Sequence, residues 1–144
     1  MSRFFYDTAI FVYALGREHP LRAPCREILA RAMRGELRGE ASVDLLQELA
    51  NQRLRRTGDR ATAAAAARDA GALCTLHDLT AGDAQRAIEL FESHPLDARD
   101  AVFAAVALNR GAPTILSPDR AFDAVETLDR VDPADAERVK SLAA

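Results

Sequence analysis

Short strand-like runs alternate with segments of helical period along this chain, and few folds accept that alternation. Phe4-Phe5-Tyr6 is a compact aromatic run, cut off by Asp7-Thr8. A weak strand over Glu36 to Val43, a strand from Leu73 to Leu79, Thr114-Ile115-Leu116 and a last weak strand near Thr127 to Val131 follow. Between them the sequence predicts helices over Ala9 to Leu15, Leu21 to Arg34 behind Pro20, Asp44 to Arg56, Asp59 to about Ala70, Ala81 to Glu92, and Asp97 or Ala98 to Asn109. Thr80 with Asp83 three residues later predicts a capping box. Asp132-Pro133 predicts the N-cap and first residue of a C-terminal helix. Strands separated by helices favour a parallel sheet with helices on both faces, a three-layer α/β/α sandwich. No linker, repeat or domain boundary interrupts the 144 residues, so one domain over 1-144 is expected.

Composition narrows the function classes. Hydrophobic residues make up 49% and the net charge is −3, which argues against a disordered chain and against a general polyanion binder. The longest uncharged apolar stretches, Thr8 to Leu15 and Ala101 to Leu108, are too short to span a bilayer, and a cytoplasmic protein without a membrane partner is expected. Cys25 and Cys74 form no CxxC pair and read as buried apolar residues rather than zinc ligands or a disulfide. His19, His77 and His94 fit no ligand or triad spacing and read as surface or loop residues. No GxxxxGK[ST] phosphate loop is present.

The acids carry the information. Asp7 ends the first strand, Asp119 follows Thr114-Leu116, Glu48 lies early in the helix after the second strand, and Asp100 opens the apolar helix. Strand C-termini and helix N-termini share one edge of a parallel sheet, where ligands bind, so four carboxylates far apart in sequence can converge there. Clustered carboxylates repel one another without a counterion, and hard oxygen ligands suit Mg²⁺ or Mn²⁺. Such an ion activates water and neutralises a phosphate, which points to phosphodiester hydrolysis. Each acid also has a plainer role open to it: Asp97 and Asp100 as helix caps, Asp44 and Glu48 on a solvated stripe with Asn51 and Gln52, Asp119 as a turn residue. Arg53, Arg55, Arg56 and Arg60, with Arg31, Arg34 and Arg38, are either phosphate contacts or a solvated surface. Tyr6 and Tyr13 read as core.

Taken in order, Asp7-Thr8, Leu45-Leu46-Gln47-Glu48-Leu49, Asp100-Ala101-Val102-Phe103-Ala104-Ala105 and Leu116-Ser117-Pro118-Asp119-Arg120-Ala121-Phe122 resemble the motifs of PIN-domain ribonucleases of the VapC type. The resemblance spans essentially the whole chain. It implies a PIN-like sandwich and a metal-dependent endoribonuclease that acts as the toxin of a toxin–antitoxin pair. Asp7 and Asp100 would be the principal metal ligands, Glu48 the acid completing the pocket and Asp119 the more variable fourth. Mg²⁺ is the implied cofactor, with Mn²⁺ possible. RNA is the implied substrate, a small VapB-type antitoxin the partner, and a homodimer through alanine-rich helices the assembly. The antitoxin would place an Arg among the acids and apolar side chains in grooves between helices. Three departures touch neighbouring positions only: Ala9 where Ser or Asn is common, Ser117 for Thr, and Asp44 for Thr or Ser. Asp97 and Asp123 are reserve acids. The competing readings are a catalytically silent PIN-like binding module and a housekeeping PIN nuclease without an antitoxin. A haloacid-dehalogenase-type phosphatase would want a second Asp at Ala9, and a receiver domain a lysine nearer the site than Lys140, the only lysine.

Overall fold

The computed structural model describes residues 2–143. Five strands, β1 (Phe5–Tyr6), β2 (Glu40–Ser42), β3 (Thr75–His77), β4 (Thr114–Leu116) and β5 (Asp129–Val131), form one all-parallel sheet in the order β3-β2-β1-β4-β5. The helices are α1 (Thr8–Leu15), α2 (Arg22–Met33), α3 (Asp44–Thr57), α4 (Arg60–Ala72), α5 (Ala81–Ser93), α6 (Ala98–Asn109) and α7 (Ala136–Ser141), with a 3₁₀ turn at Arg120–Ala124. The path steps from β1 outward to β2 and β3, then returns to β4 beside β1. Right-handed crossovers therefore put α1 to α4 on one face and α5 and α6 on the other. The sandwich anticipated from the alternating pattern is the one observed, and the order in which strands join the sheet reverses between β1 and β4.

The core is built from Phe4, Phe5, Tyr6, Ile10, Phe11, Leu45, Leu49, Ile115, Leu116 and Phe122, all buried. Helix α6 is the most deeply packed: Ala101, Phe103, Ala104, Ala105, Val106 and Ala107 are fully or nearly fully enclosed. Its small side chains let it lie close on the sheet. Gly39, which weakens any strand prediction here, has a specific reason. A Cβ at Gly39 would lie 2.0 Å from the Tyr6 ring, so the buried tyrosine packs directly on glycine backbone.

The expected capping box holds: Thr80 and Asp83 form it at the start of α5. Gly58 closes α3 in the left-handed conformation at φ 68°. Other expectations need correction. β2 and β3 are three-residue strands, shorter than the expected Glu36 to Val43 and Leu73 to Leu79. Asp132 does not start α7. It accepts from the Ala134 N–H in a turn, and Asp135 is the N-cap. His77 is not a loop residue: it lies on β3, stacks on Phe5, and its Nε2 is 2.7 Å from Glu40 Oε1. Glu40 in turn accepts two hydrogen bonds from Arg3, at 2.9 and 2.8 Å. The strand tolerates a buried Glu40 because its charge is paired. Cys25 is buried and Cys74 half-buried, and burial raises both thiols to about 12, so they behave as apolar side chains.

Candidate active site

The crevice between β1 and β4 opens at their C-terminal ends, the switch point of the sheet. Asp7 stands there as the N-cap of α1. Its Oδ1 accepts from the Ala9 N–H at 3.4 Å, and its Oδ2 accepts from the Ser117 hydroxyl at 2.5 Å. Ser117, just past β4, also accepts from the Asp119 N–H at 3.0 Å. Glu48 reaches in from the second turn of α3 and accepts from the Thr8 hydroxyl at 3.1 Å. Asp100 sits in the first turn of α6, where Asp97 caps the helix by accepting from the Asp100 N–H at 2.8 Å. Asp7, Thr8, Ala9, Glu48, Asp97, Asp100 and Asp119 line a cavity of about 490 Å³ together with Val12, Tyr13, Leu21, Arg99 and Pro118, with Ser117 buried behind them. All four acids singled out from the sequence therefore face one cavity.

Their environments differ. Burial raises the Asp7 carboxyl to about 6, opposed by its two hydrogen bonds and reinforced by Glu48 and Asp119. Asp100 is raised further, to about 8, by burial, by the Asp7 charge and by a hydrogen bond to Asp119 that only protonated Asp100 can donate. Glu48 is also raised, mainly by burial, with Arg99 and Thr8 working against the shift. Asp7, Glu48 and Asp100 resist ionisation because they are buried beside other acids, and a cation among them would reverse that penalty. Among the described residues, no three His, Cys, Asp or Glu side chains are gathered closely enough to ligate one ion alone. A hard ion that keeps several waters needs only one or two carboxylates, and the donor set of Asp7 and Asp100 fits that requirement.

The reserve acids separate. Asp97 caps α6 and also lines the cavity. Asp123 is held by Arg130 at 2.9 Å and does not line it. Asp44 accepts from the Ser42 hydroxyl and lines an adjoining hollow with Glu48. The seven clustered arginines do not form one patch. Arg53 and Arg56 line a hollow between α1 and α3 with Arg17 and His19, Arg55 faces the hollow beside Glu48, and Arg31 and Arg34 pair with Glu27. Tyr6 is core, whereas Tyr13 is half-buried and stands at the cavity wall against His19, with ring centroids 4.5 Å apart.

Two residues escaped the sequence reading. Thr8 holds Glu48, and nothing in its spacing signals a partner 40 positions away. Arg99 pairs loosely with Glu48 at 3.4 Å. A signal for it did exist: a cation in the first turn of a helix opposes the helix dipole.

A family model described as PIN domain matches residues 4–128. Over 119 residues the chain is 40% identical to Ribonuclease VapC7 of Mycobacterium tuberculosis (strain ATCC 25618 / H37Rv), a match covering 81% of each chain. Two solved structures share the fold. One is Mycobacterium tuberculosis VapC20, described as a sarcin-ricin loop cleaving toxin, with a TM-score of 0.70 at 22% identity over 85% of this chain and 94% of that one. The other is VapBC2 from Rickettsia felis bound to a DNA fragment from its promoter, with a TM-score of 0.67 at 16% identity over 90% and 98%.

Proposed function

The chain belongs to the PIN-domain family, and from that premise we propose that it is a metal-dependent endoribonuclease acting as the toxin of a toxin–antitoxin pair of the VapC type. The observation that carries the reading is the meeting of Asp7, Glu48, Asp100 and Asp119 at one cavity on the switch edge of the sheet. Asp7 and Asp100 would hold the ion, Mg²⁺ or Mn²⁺ in its place, with water filling the remaining positions. When bound, the ion supplies a Lewis acid that lowers the pKa of a water and offsets charge gathering on the phosphate. The rest falls to the chain. Ser117 and the Ala9 N–H fix the Asp7 carboxylate, and Thr8 fixes Glu48. Glu48 and Asp119 orient water and accept its proton. Water adds to phosphorus, the bond to the 3′-oxygen breaks, and that oxygen leaves as a hydroxyl, giving 5′-phosphate and 3′-hydroxyl ends.

The partner we propose is a small VapB-type antitoxin. A guanidinium matches paired carboxylates in bidentate geometry and would compete with the ion at the pocket. A homodimer also belongs to this reading. The alanines of α6 are enclosed within the chain, so of the alanine-rich helices only α4, with Ala61 and Ala65 exposed, could carry the dimer contact. The intact acid set favours a nuclease over a silent binding module, and the antitoxin distinguishes the toxin from a housekeeping nuclease. No helix among the described residues is long and apolar enough to cross a membrane. Cleavage of single-stranded RNA by purified protein tests the activity. EDTA should stop it, and Asp7→Asn, Glu48→Gln and Asp100→Asn should each remove most of it, Asp119→Asn less. Metal-independent cleavage leaving 2′,3′-cyclic phosphate ends would overturn the reading. Harmless expression of an active nuclease that binds no neighbour-encoded protein would overturn the toxin assignment.

A further inference from the structure

Next to the acid cavity, and sharing Glu48 and Arg99 with it, lies a second hollow of about 220 Å³ between α3 and the start of α6. Asp44, Gln47, Glu48, Asn51, Arg55 and Arg99 line it. Arg99 is the one basic side chain on the wall of the acid cavity and one of two in the neighbouring hollow. It is 63% exposed, and its 3.4 Å contact with Glu48 is an ion pair without a hydrogen bond. A pair that exposed adds little to stability. As the second residue of α6, Arg99 also places a positive charge against the positive end of the helix dipole. Its position thus has a local cost and little structural return.

We propose that this hollow is the subsite for the RNA phosphodiester next to the scissile one, with Arg99 leaving Glu48 to bind that phosphate and Arg55 as the second cation. The inference rests on the ribonuclease reading above. Its physical basis is charge. An RNA strand crossing a pocket of four acids is repelled everywhere except where the ion sits. The next phosphate therefore needs a cation within one nucleotide of the site. Arg99 lies on the shared wall, is not locked in place, and carries the planar donors that bind phosphate in pairs. Gln47 and Asn51 supply neutral amide donors on the α3 side, the usual company of phosphate contacts. Once Arg99 engages the phosphate, Glu48 is freed to face the reacting water.

The test separates this from the parent reading. Binding of a fluorescent single-stranded RNA is measured by anisotropy with the Asp7→Asn protein, which retains the hollow but should not cut. Adding Arg99→Ala should weaken binding roughly tenfold, as loss of a charged phosphate contact does. The slope of log affinity against log salt should fall by about 0.7, the share of one single-strand phosphate. Arg99→Lys should recover part of the affinity, since the point charge remains. Arg34→Ala, which removes an equal charge from the far end of α2, should change neither quantity. In the cleaving protein, Arg99→Ala should raise KM more than it lowers kcat, while the melting temperature holds or rises. Unchanged affinity and salt slope with Arg99→Ala would overturn the subsite, even if the wild type cleaves RNA normally. So would an effect confined to inhibition by the antitoxin, which would make Arg99 a protein contact. Failure of the wild type to cleave any RNA would instead overturn the ribonuclease reading.

Discussion

Ser117 donates its hydroxyl to Asp7 Oδ2 at 2.5 Å across 110 positions of sequence, joining the ends of the two strands between which the sheet reverses. Both residues are buried, Ser117 completely. The bond orients the Asp7 carboxylate toward the cavity and opposes the burial that raises its pKa. A hydroxyl is thus what this position needs, and serine supplies it where threonine is common in the resembling family.

Ser117→Ala should lower Mn²⁺ affinity and RNA cleavage by about tenfold to a hundredfold, the usual effect of removing a partner that orients a ligand. Calorimetric titration with Mn²⁺, read beside the cleavage rate, checks this. Ser117→Thr should behave as the wild type. Equal metal affinity in Ser117→Ala would show that Asp7 needs no orientation from β4.

The acid pocket sets the pH response. Asp7 and Asp100 are raised to about 6 and about 8 in the fold, from an ordinary 3.8. A carboxyl raised in the folded state favours the folded protein while protonated, and that favour is lost as pH climbs through the folded value. Metal-free protein should therefore lose melting temperature between about pH 5 and pH 8. Asp100→Asn should flatten this slope and melt higher at pH 8. Below that window the sign reverses, because Glu40, held low mainly by its hydrogen bond from Arg3, must be protonated as acid unfolds the chain. Mn²⁺ should bind more tightly from pH 6 to pH 8 and release protons, seen as a calorimetric heat that varies with the buffer's ionisation enthalpy.

Gly39→Ala should cost about 3 kcal/mol, because the new methyl would fall inside the Tyr6 ring and that ring has nowhere to go. Chemical denaturation measures the loss. Gly35→Asn, in a left-handed turn with open space around it, should be nearly neutral by comparison.

Apolar recognition by the antitoxin should use the groove between α1, α2 and α4, lined by Phe11, Leu15, Leu29, Met33, Ala70 and Leu73. Met33 is 76% exposed at its edge. Met33→Glu should weaken antitoxin binding roughly tenfold by placing a charge on an apolar contact, and leave RNA cleavage intact. Affinity by calorimetry and cleavage by the free protein check both halves.

The residues themselves announced the layered sandwich and the four acids. Helix and strand periods are local properties, and an aromatic strand ending abruptly in Asp7 is visible without coordinates. The capping box at Thr80 and Asp83 is equally local, since both partners lie within one turn. Other features depended on contacts that no local pattern encodes. Burial of the charged Glu40 in a central strand becomes intelligible only through Arg3 and His77, each 37 positions away. Helix α7 starts behind Asp135 and not at the expected Asp132, whose carboxylate is taken up by the Ala134 N–H in a turn. The spread of the arginines over separate hollows was likewise decided by which face of α3 each occupies. What the sequence by itself determined is the order of elements and which acids exist to be used, because both follow from short-range pattern. What the tertiary structure alone decided is how those acids are held and charged: Ser117 on Asp7, Thr8 and Arg99 on Glu48, Asp119 beside Asp100. Those relations arise from bringing distant strand ends together in a partly buried site, where a neighbour's charge or hydrogen bond outweighs a residue's intrinsic preference.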